Sequence, residues 1–346
     1  MLLNPAGRGA TLCAVRAEPD ASDNEASAIP TTQRIDRAAL VRAIAWAQAA
    51  YRACDVCAEK CGVDRLAGPA GVCGLGVEGR VYKEYIHFGE ERRLVPSHTV
   101  YLSGCNFRCA FCSDWAQVVA PLAHGVALSP RALAHRIGQR RGEGARNVNF
   151  VGGLPDVNVL YLLRVLEHVA DDTNVVWNTN LWTTETAIDH LVDLVGTWLV
   201  DVKFGNDICA RKLSRSKDYW ATTTRLFEHL GAALARPERA GRGVLVRHLL
   251  MPGHLECCTK PALLWLAERA PTAPVNLMTG YLPYRLGANA QASKRPTAHR
   301  MVSAEVTEAL RFFSSLGFAD AMVDGQAALE CALLDPGSSA GVAVVP

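Results

Sequence analysis

From about Ser97 onward, six short apolar, β-rich runs (HTVYLSG, NVNFVGG, NVVWNTN, TWLVDVKF, GVLVRHLLM and APVNLM) alternate with stretches whose apolar positions recur at helical spacing. The helical stretches cover 130–141, 156–170, 184–195, 218–235 and 259–269, and Ser129-Pro130 opens the first in the N-cap and N1 positions. Strands and helices in regular alternation predict a parallel α/β architecture. Runs that are apolar throughout, rather than at every second residue, predict strands covered on both faces, as in a partial or complete barrel. In such barrels chemistry gathers at the C-terminal ends of the strands.

Upstream of this body the pattern changes twice. Apolar residues fall at helical spacing from Ile35 to Ala53 (Leu40, Ile44, Trp46, Ala47, Tyr51), and a cysteine- and glycine-rich module follows from Cys54 to Gly79. Residues 1–33 show no sustained period and are expected to form a flexible arm. The expected division is an arm over 1–33, a helix plus cysteine-rich metal-binding module over 34–96, a barrel over 97–280 and an extension over 281–346 covering the barrel mouth.

The 346 residues are 49% apolar, enough to bury a sizeable core, and 36 basic against 34 acidic residues leave a net charge of only +2. That balance, without long runs of like charge, argues against a nucleic-acid track or a polybasic membrane patch. No stretch of 18 apolar residues occurs, so the expectation is a cytoplasmic, unanchored protein. Twelve cysteines in a reducing compartment point to metal or redox chemistry rather than to disulfides. Only seven of the 36 basic residues are lysine, a bias of GC-rich genomes that bears on biological context rather than on chemistry.

The sharpest signal is Cys105-Asn-Phe-Arg-Cys109-Ala-Phe-Cys112, a CxxxCxxC placed directly after the first strand. Three thiolates within eight residues can ligate three irons of a cubane and leave the fourth without a protein ligand. An open iron can chelate the amino and carboxylate groups of S-adenosylmethionine (SAM), and Phe111 is suited to pack on the adenine. The alternative is three structural cysteines or a zinc site short of a ligand.

These residues resemble the radical SAM superfamily, and within it the pyruvate formate-lyase-activating-enzyme group, especially its PflX-type relatives. The resemblance runs from about Cys54 to Phe318. It rests on CDVCAEKCGVDR (54–65), HFGEE (87–91), the CNFRCAFC loop, NVNFV (147–151), DVKF (201–204), VRHLLMPG (246–253) and NLM (276–278). It implies a partial (β/α)6 radical SAM barrel with a [4Fe-4S] cluster, SAM and an electron donor such as flavodoxin or ferredoxin. It also implies roles at the strand ends: Gly152 and Gly153 near the SAM amino group, Asn178, Thr179 and Asn180 near the ribose and methionine, Asp201 and Lys203 beside them, and Arg247 against the SAM carboxylate. Leu154-Pro155 stands where the superfamily has an acidic residue after the glycines.

Cys54, Cys57, Cys61 and Cys73 form a second set in a small loop-rich module, fitting a closed structural zinc site or an auxiliary [4Fe-4S] cluster, with no metal as the remaining alternative. Cys257-Cys258 could donate a hydrogen atom or ligate iron, or be inert, and Cys13, Cys209 and Cys331 have no partner pattern. Glu84, His87, Glu90 and Glu91 are either exposed charges or an acid/base group at the entrance. Two enzymatic readings follow, with a cluster scaffold as a weaker third. One is a radical enzyme acting on a small molecule; the other is an activase that installs a glycyl radical on a protein partner. The preferred reading resembles the cytosylglucuronate decarboxylase type, a lyase of nucleoside antibiotic biosynthesis, with Arg285 holding a substrate carboxylate and His254 or Tyr281 delivering a proton.

Overall fold

The computed structural model describes residues 34–89, 91–284, 295–324 and the backbone of 326–327. The expected arm over 1–33, Glu90, Arg285 and most of the tail beyond Asp324 lie outside the described residues.

A ten-stranded sheet organises the molecule. Its parallel body comprises β2 (Ser97–Leu102), β4 (Asn147–Gly152), β5 (Val175–Thr179), β6 (Thr197–Asp201), β7 (Gly243–Leu249), β8 (Val275–Met278) and β9 (Ala321–Val323), paired in that order. One edge is extended by two antiparallel strands, β1 (Arg80–His87) on β2 and β3 (Val126–Ala127) on β1. The other edge carries β10 (Gln326–Ala327), antiparallel to β9. The α/β partial barrel expected from the runs is therefore present, and all six predicted strands occupy its parallel body.

Helices follow the strands as the periodicity requires: α3 (Pro130–Gly142), α4 (Val159–Leu166), α5 (Glu185–Leu191), α6 (Asp207–Ser214), α7 (Tyr219–Leu234), α8 (Lys260–Arg269) and α9 (Ser303–Ser315). Upstream, α1 (Arg37–Ala50) starts where the Asp36 carboxylate accepts from the amides of Ala38 and Ala39, at 2.8 and 3.0 Å. It buries Ala39, Leu40, Ala43 and Ala47 in the same core as the barrel helices, and Arg37 ties it to Asp171 at 2.6 Å. A short α2 (Trp115–Val119) follows the cysteine loop. Among the described residues no helix is long and apolar enough to cross a membrane.

The two-residue alternation of strands decides which side chains reach the interior. Val100, Phe150, Trp177, Trp198 and Val246 face outward into the main core beneath the helices. Their neighbours Val176, Leu199 and Leu245 face inward, where with Leu94 and Met322 they form a separate apolar floor. One step further along the same strands, on the same inward face, stand Asn178, Asp201 and Arg247. The floor is apolar and buried; the polar row above it borders a cavity.

Candidate functional site

The loop after β2 carries Cys105, Cys109 and Cys112, and its conformation is held by groups from four directions. Ala110 N donates to Leu213 O at 2.7 Å and Arg108 N to Ser214 O at 3.0 Å, docking the loop on the last turn of α6. Asn106 Nδ2 donates to Trp182 O at 3.0 Å, and Asn180 Nδ2 donates to Asn106 Oδ1 at 3.2 Å, docking it on the end of β5. Arg108 donates to the carbonyls of Cys105 and Phe107 and reaches Val72 O in the cysteine-rich module. Phe107 is buried between Trp182 and Tyr219, with centroids 5.7 and 5.8 Å away. The residues between the cysteines thus serve to fix the loop.

Gly104 and Gly153 make the closest backbone approach. A Cβ on Gly153 would stand 1.9 Å from Gly104 O, and Gly104, at φ +83°, has Leu75 against it where a Cβ would go. The Gly152-Gly153 turn therefore has a structural reason to be glycine: it seats the end of β4 against the cysteine loop.

Above the polar row lies a cavity of about 400 Å³. Cys105, Cys109, Cys112 and Phe111 line it from the loop, Gly152, Gly153, Asn178, Asp201, Lys203 and Arg247 from the strand ends, and Tyr281 and Tyr284 from the segment after β8. Most of the residues singled out in the sequence therefore meet in one place. Cys105 and Cys109 are each only 8% exposed. Burial pushes the Cys105 thiol up to about 12, and Cys109 higher, with Lys203 working in the opposite direction at both. Thiols so disposed ionise when a metal takes them, and three soft donors around an open cavity fit a [4Fe-4S] cluster with one iron facing the space.

Lys203 Nζ donates to Asp201 Oδ2 at 2.6 Å. Burial lowers the lysine's proton affinity, but Asp201 and Cys109 raise it above the ordinary value, so the ammonium stays charged. Arg247 is placed differently from expectation. Its guanidinium is gripped by Glu91, Nε to Oε1 at 2.6 Å, and Asn276 Nδ2 donates to the same oxygen at 2.8 Å. Burial raises the Glu91 carboxyl, but Arg247 holds it below its usual range. An internal carboxylate thus occupies the fork assigned to the SAM carboxylate.

Three other expected residues take other positions. Thr179 turns away and donates to Asp156 Oδ2 at 2.7 Å, inside the protein. Asp156, two residues beyond Leu154, is buried, and desolvation raises its pKa. Tyr281 lines the cavity but donates its hydroxyl to Thr297 O at 2.6 Å, and burial pushes that hydroxyl up to about 12. His254 is not among the cavity residues: it stands against Cys209, Cys257 and Cys258. The acidic cluster before the barrel also separates. Glu84 binds His98 at 2.7 Å and Arg140 at 2.9 Å, while Glu91 goes into the barrel.

In the N-terminal module Cys54, Cys57 and Cys73 are buried and Cys61 is half-buried, near enough for the charge on one sulfur to bear on the others. Arg65, itself buried, lies over the Tyr51 ring at 4.0 Å and brings Nη1 to 3.9 Å from Cys54 Sγ. Its other donors hold the carbonyls of Leu75, Gly76 and Val157, tying the module to the barrel.

The family model for the radical SAM superfamily matches residues 99–266. The uncharacterized protein MJ0674 of Methanocaldococcus jannaschii is 35% identical over 263 residues, which cover 75% of this chain and 73% of that protein. Among solved structures, Streptococcus suis SuiB bound to S-adenosylmethionine is similar at 13% identity and a TM-score of 0.43, over 63% of this chain and 47% of SuiB. This chain thus matches about half the length of SuiB. A domain of pyruvate-formate lyase-activating enzyme from Bacteroides vulgatus is similar at 14% identity and a TM-score of 0.39, over 51% of this chain and 98% of that domain.

Proposed function

The chain belongs to the radical SAM superfamily, and from that premise we propose that Cys105, Cys109 and Cys112 hold a [4Fe-4S] cluster at which SAM is cleaved for radical chemistry on a small molecule. The observation that carries this reading is the cavity of about 400 Å³ joining the three thiols to the polar strand ends and to Tyr281 and Tyr284. When bound, the cluster and SAM supply a 5′-deoxyadenosyl radical that removes an unactivated hydrogen atom. The chain's own residues position and protect. Phe111 offers its face to the adenine, and Asn178, Asp201 and Lys203 offer donors and acceptors along one rim, with the lysine charged. Glu91 keeps Arg247 rigid below them. Tyr281, anchored through Thr297, limits access of water from the side of the tail.

The substrate we propose is a carboxylate-bearing sugar nucleoside such as cytosylglucuronic acid, and the reaction is loss of carbon dioxide. A hydrogen atom leaves the sugar carbon beside the carboxylate-bearing centre. The carbon–carboxylate bond then breaks and carbon dioxide departs. The radical anion that remains takes one proton, then either a hydrogen atom back from 5′-deoxyadenosine or, with SAM consumed, an electron from an external one-electron donor of the flavodoxin or ferredoxin class and a second proton. In the first case the sum is one proton in and one carbon dioxide out, with no net oxidation. Arg285, directly after the described cavity wall, is our candidate for holding the carboxylate, and Tyr281, which lines the cavity, is our candidate for delivering the proton, which it would have to withdraw from Thr297 O.

Incubating the reduced, reconstituted protein with SAM and cytosylglucuronic acid tests this, with mass spectrometry of the nucleoside. The expected product is lighter by carbon dioxide. No such product, together with a glycyl-radical resonance on an added glycyl-radical enzyme, would reject decarboxylation and favour the activase.

A further inference from the structure

Cys209 is the third residue of α6, which follows β6; His254, Cys257 and Cys258 lie in the turn after β7, the last two within the π-helical segment Leu255–Thr259. Because β6 and β7 are paired in parallel, the loops leaving their C-terminal ends run side by side. Their ligand atoms all fall within 4.8 Å of one another. Cys209 Sγ is 3.5 Å from Cys257 Sγ, and His254 Nδ1 is 3.6, 3.3 and 3.9 Å from the sulfurs of Cys209, Cys257 and Cys258.

Those lengths match a specific geometry. Four ligands placed tetrahedrally around one zinc ion, with metal–sulfur bonds of about 2.3 Å and metal–nitrogen bonds of about 2.0 Å, put two sulfurs about 3.8 Å apart and a sulfur and a nitrogen about 3.5 Å apart. In an iron–sulfur cubane each thiolate sits on its own iron, which requires wider separation. The turn is also shaped for the purpose. Thr259 N donates to His254 O at 3.1 Å, closing the wide π turn, a local distortion that recurs at functional sites and here turns two adjacent cysteines toward one point. Asn206 Nδ2 stands 3.8 Å from Cys258 Sγ, a donor of the kind that supports a bound thiolate.

We propose that Cys209, His254, Cys257 and Cys258 bind one tetrahedral zinc-class divalent ion, separate from the cysteine loop. Four protein ligands leave no open position, so the ion is structural. It joins the first turn of α6 to the turn after β7. The last turn of the same helix receives Ala110 N and Arg108 N of the cysteine loop, about 6 Å further along the helix axis. The ion is therefore a brace for the loop that carries Cys105, Cys109 and Cys112.

The test uses the full chain with its iron reconstituted, in a non-thiol reductant that excludes disulfides. Iodoacetamide labelling, mapped by peptide mass spectrometry, is compared with and without added zinc. Zinc should slow modification of half-buried Cys257 about ten-fold or more, since the bound thiolate is withdrawn from reaction, with Cys209 protected in parallel. Cys209→Ser and Cys257→Ser should each lose one equivalent of zinc, and His254→Cys should retain it. Cobalt in place of zinc should show tetrahedral d–d bands with thiolate charge transfer that are absent in Cys209→Ser, while in His254→Cys the charge-transfer intensity rises by about a third, four thiolates in place of three. Labelling of Cys209 and Cys257 that ignores zinc in the parent protein overturns the proposal, whether or not the variants fold. Zinc content unchanged in folded Cys209→Ser and Cys257→Ser overturns it equally.

Discussion

The Cys105 loop and the Cys209–Cys258 cluster share one apolar layer, with Phe107, Tyr219 and Met251 packed among them, yet they are built for opposite relations to a metal. The first sets three thiols around a cavity of about 400 Å³, with charged Lys203 and Asp201 on its rim. The second draws three sulfurs and an imidazole nitrogen to within 4.8 Å of one another, around a single point. One arrangement leaves coordination to be completed by a ligand; the other completes it with protein. Reactivity belongs to the first and rigidity to the second, and α6 connects them. A loop that must hold an incomplete site in place needs a neighbour that is complete.

The largest effect expected from breaking this contrast lies at the open site. Cys105→Ala, Cys109→Ala or Cys112→Ala should each abolish retention of a whole cluster, about four irons per chain, as read by iron analysis after reconstitution. Cys209→Ser should keep that iron. Loss of iron in both sets would merge the two sites into one.

Next in size is the support beneath the cavity. Glu91→Gln leaves the Arg247 guanidinium buried without its charge partner, which should cost about 3–5 kcal/mol of unfolding free energy in denaturant titration. An unchanged midpoint would mean that Arg247 finds its partner elsewhere, and would return it to the list of ligand contacts.

His248 joins the two regions: Nδ1 meets Val202 O at 2.7 Å on the β6 side, and Nε2 meets Thr259 Oγ1 at 3.0 Å on the π turn. Burial lowers its pKa from 6.5 to about 4. The unfolded chain therefore takes up this proton before the folded one does. The stability contribution is full above about pH 6.5 and is lost as pH falls toward 4, by about 3 kcal/mol in all. Chemical denaturation at pH 8, 6 and 4.5 should show this slope in the parent and a flatter one in His248→Gln. Equal slopes would remove His248 as the pH-sensitive link.

The smallest effect expected is at the rim. Lys203→Ala removes a charged donor from beside Asp201 and should weaken SAM binding about ten-fold, without loss of iron, in equilibrium dialysis of the reconstituted protein. Unaltered binding would confine Lys203 to its ion pair.

The sequence revealed these regions unequally. Strands β2 and β4 to β8 were readable because each is a continuous apolar run long enough to distinguish from its flanking helices. β9 has three residues and β1 is half-buried along much of its length, so neither carried a clear pattern. The cysteine loop was readable because all its ligands fall within eight residues. The Cys209 cluster was not, because 45 residues separate Cys209 from His254 and only the pairing of β6 with β7 makes them neighbours. A signal did exist: both lie just past the C-terminal ends of consecutive parallel strands. The roles expected of Thr179 and Arg247 depended on side-chain partners, Asp156 and Glu91, that are remote along the chain. Glu91 drew notice only as part of an acidic cluster, and burial gave it a different task.

The central claim is that the three-thiol cavity cleaves SAM. Anaerobic reconstitution, reduction with dithionite and quantitation of 5′-deoxyadenosine by liquid chromatography and mass spectrometry test it directly. Time-dependent formation of 5′-deoxyadenosine in the parent protein, reduced to background in Cys105→Ala, Cys109→Ala and Cys112→Ala, is the predicted result. Formation at the parent rate in all three variants, or none in a parent protein that carries its full complement of iron, would contradict it.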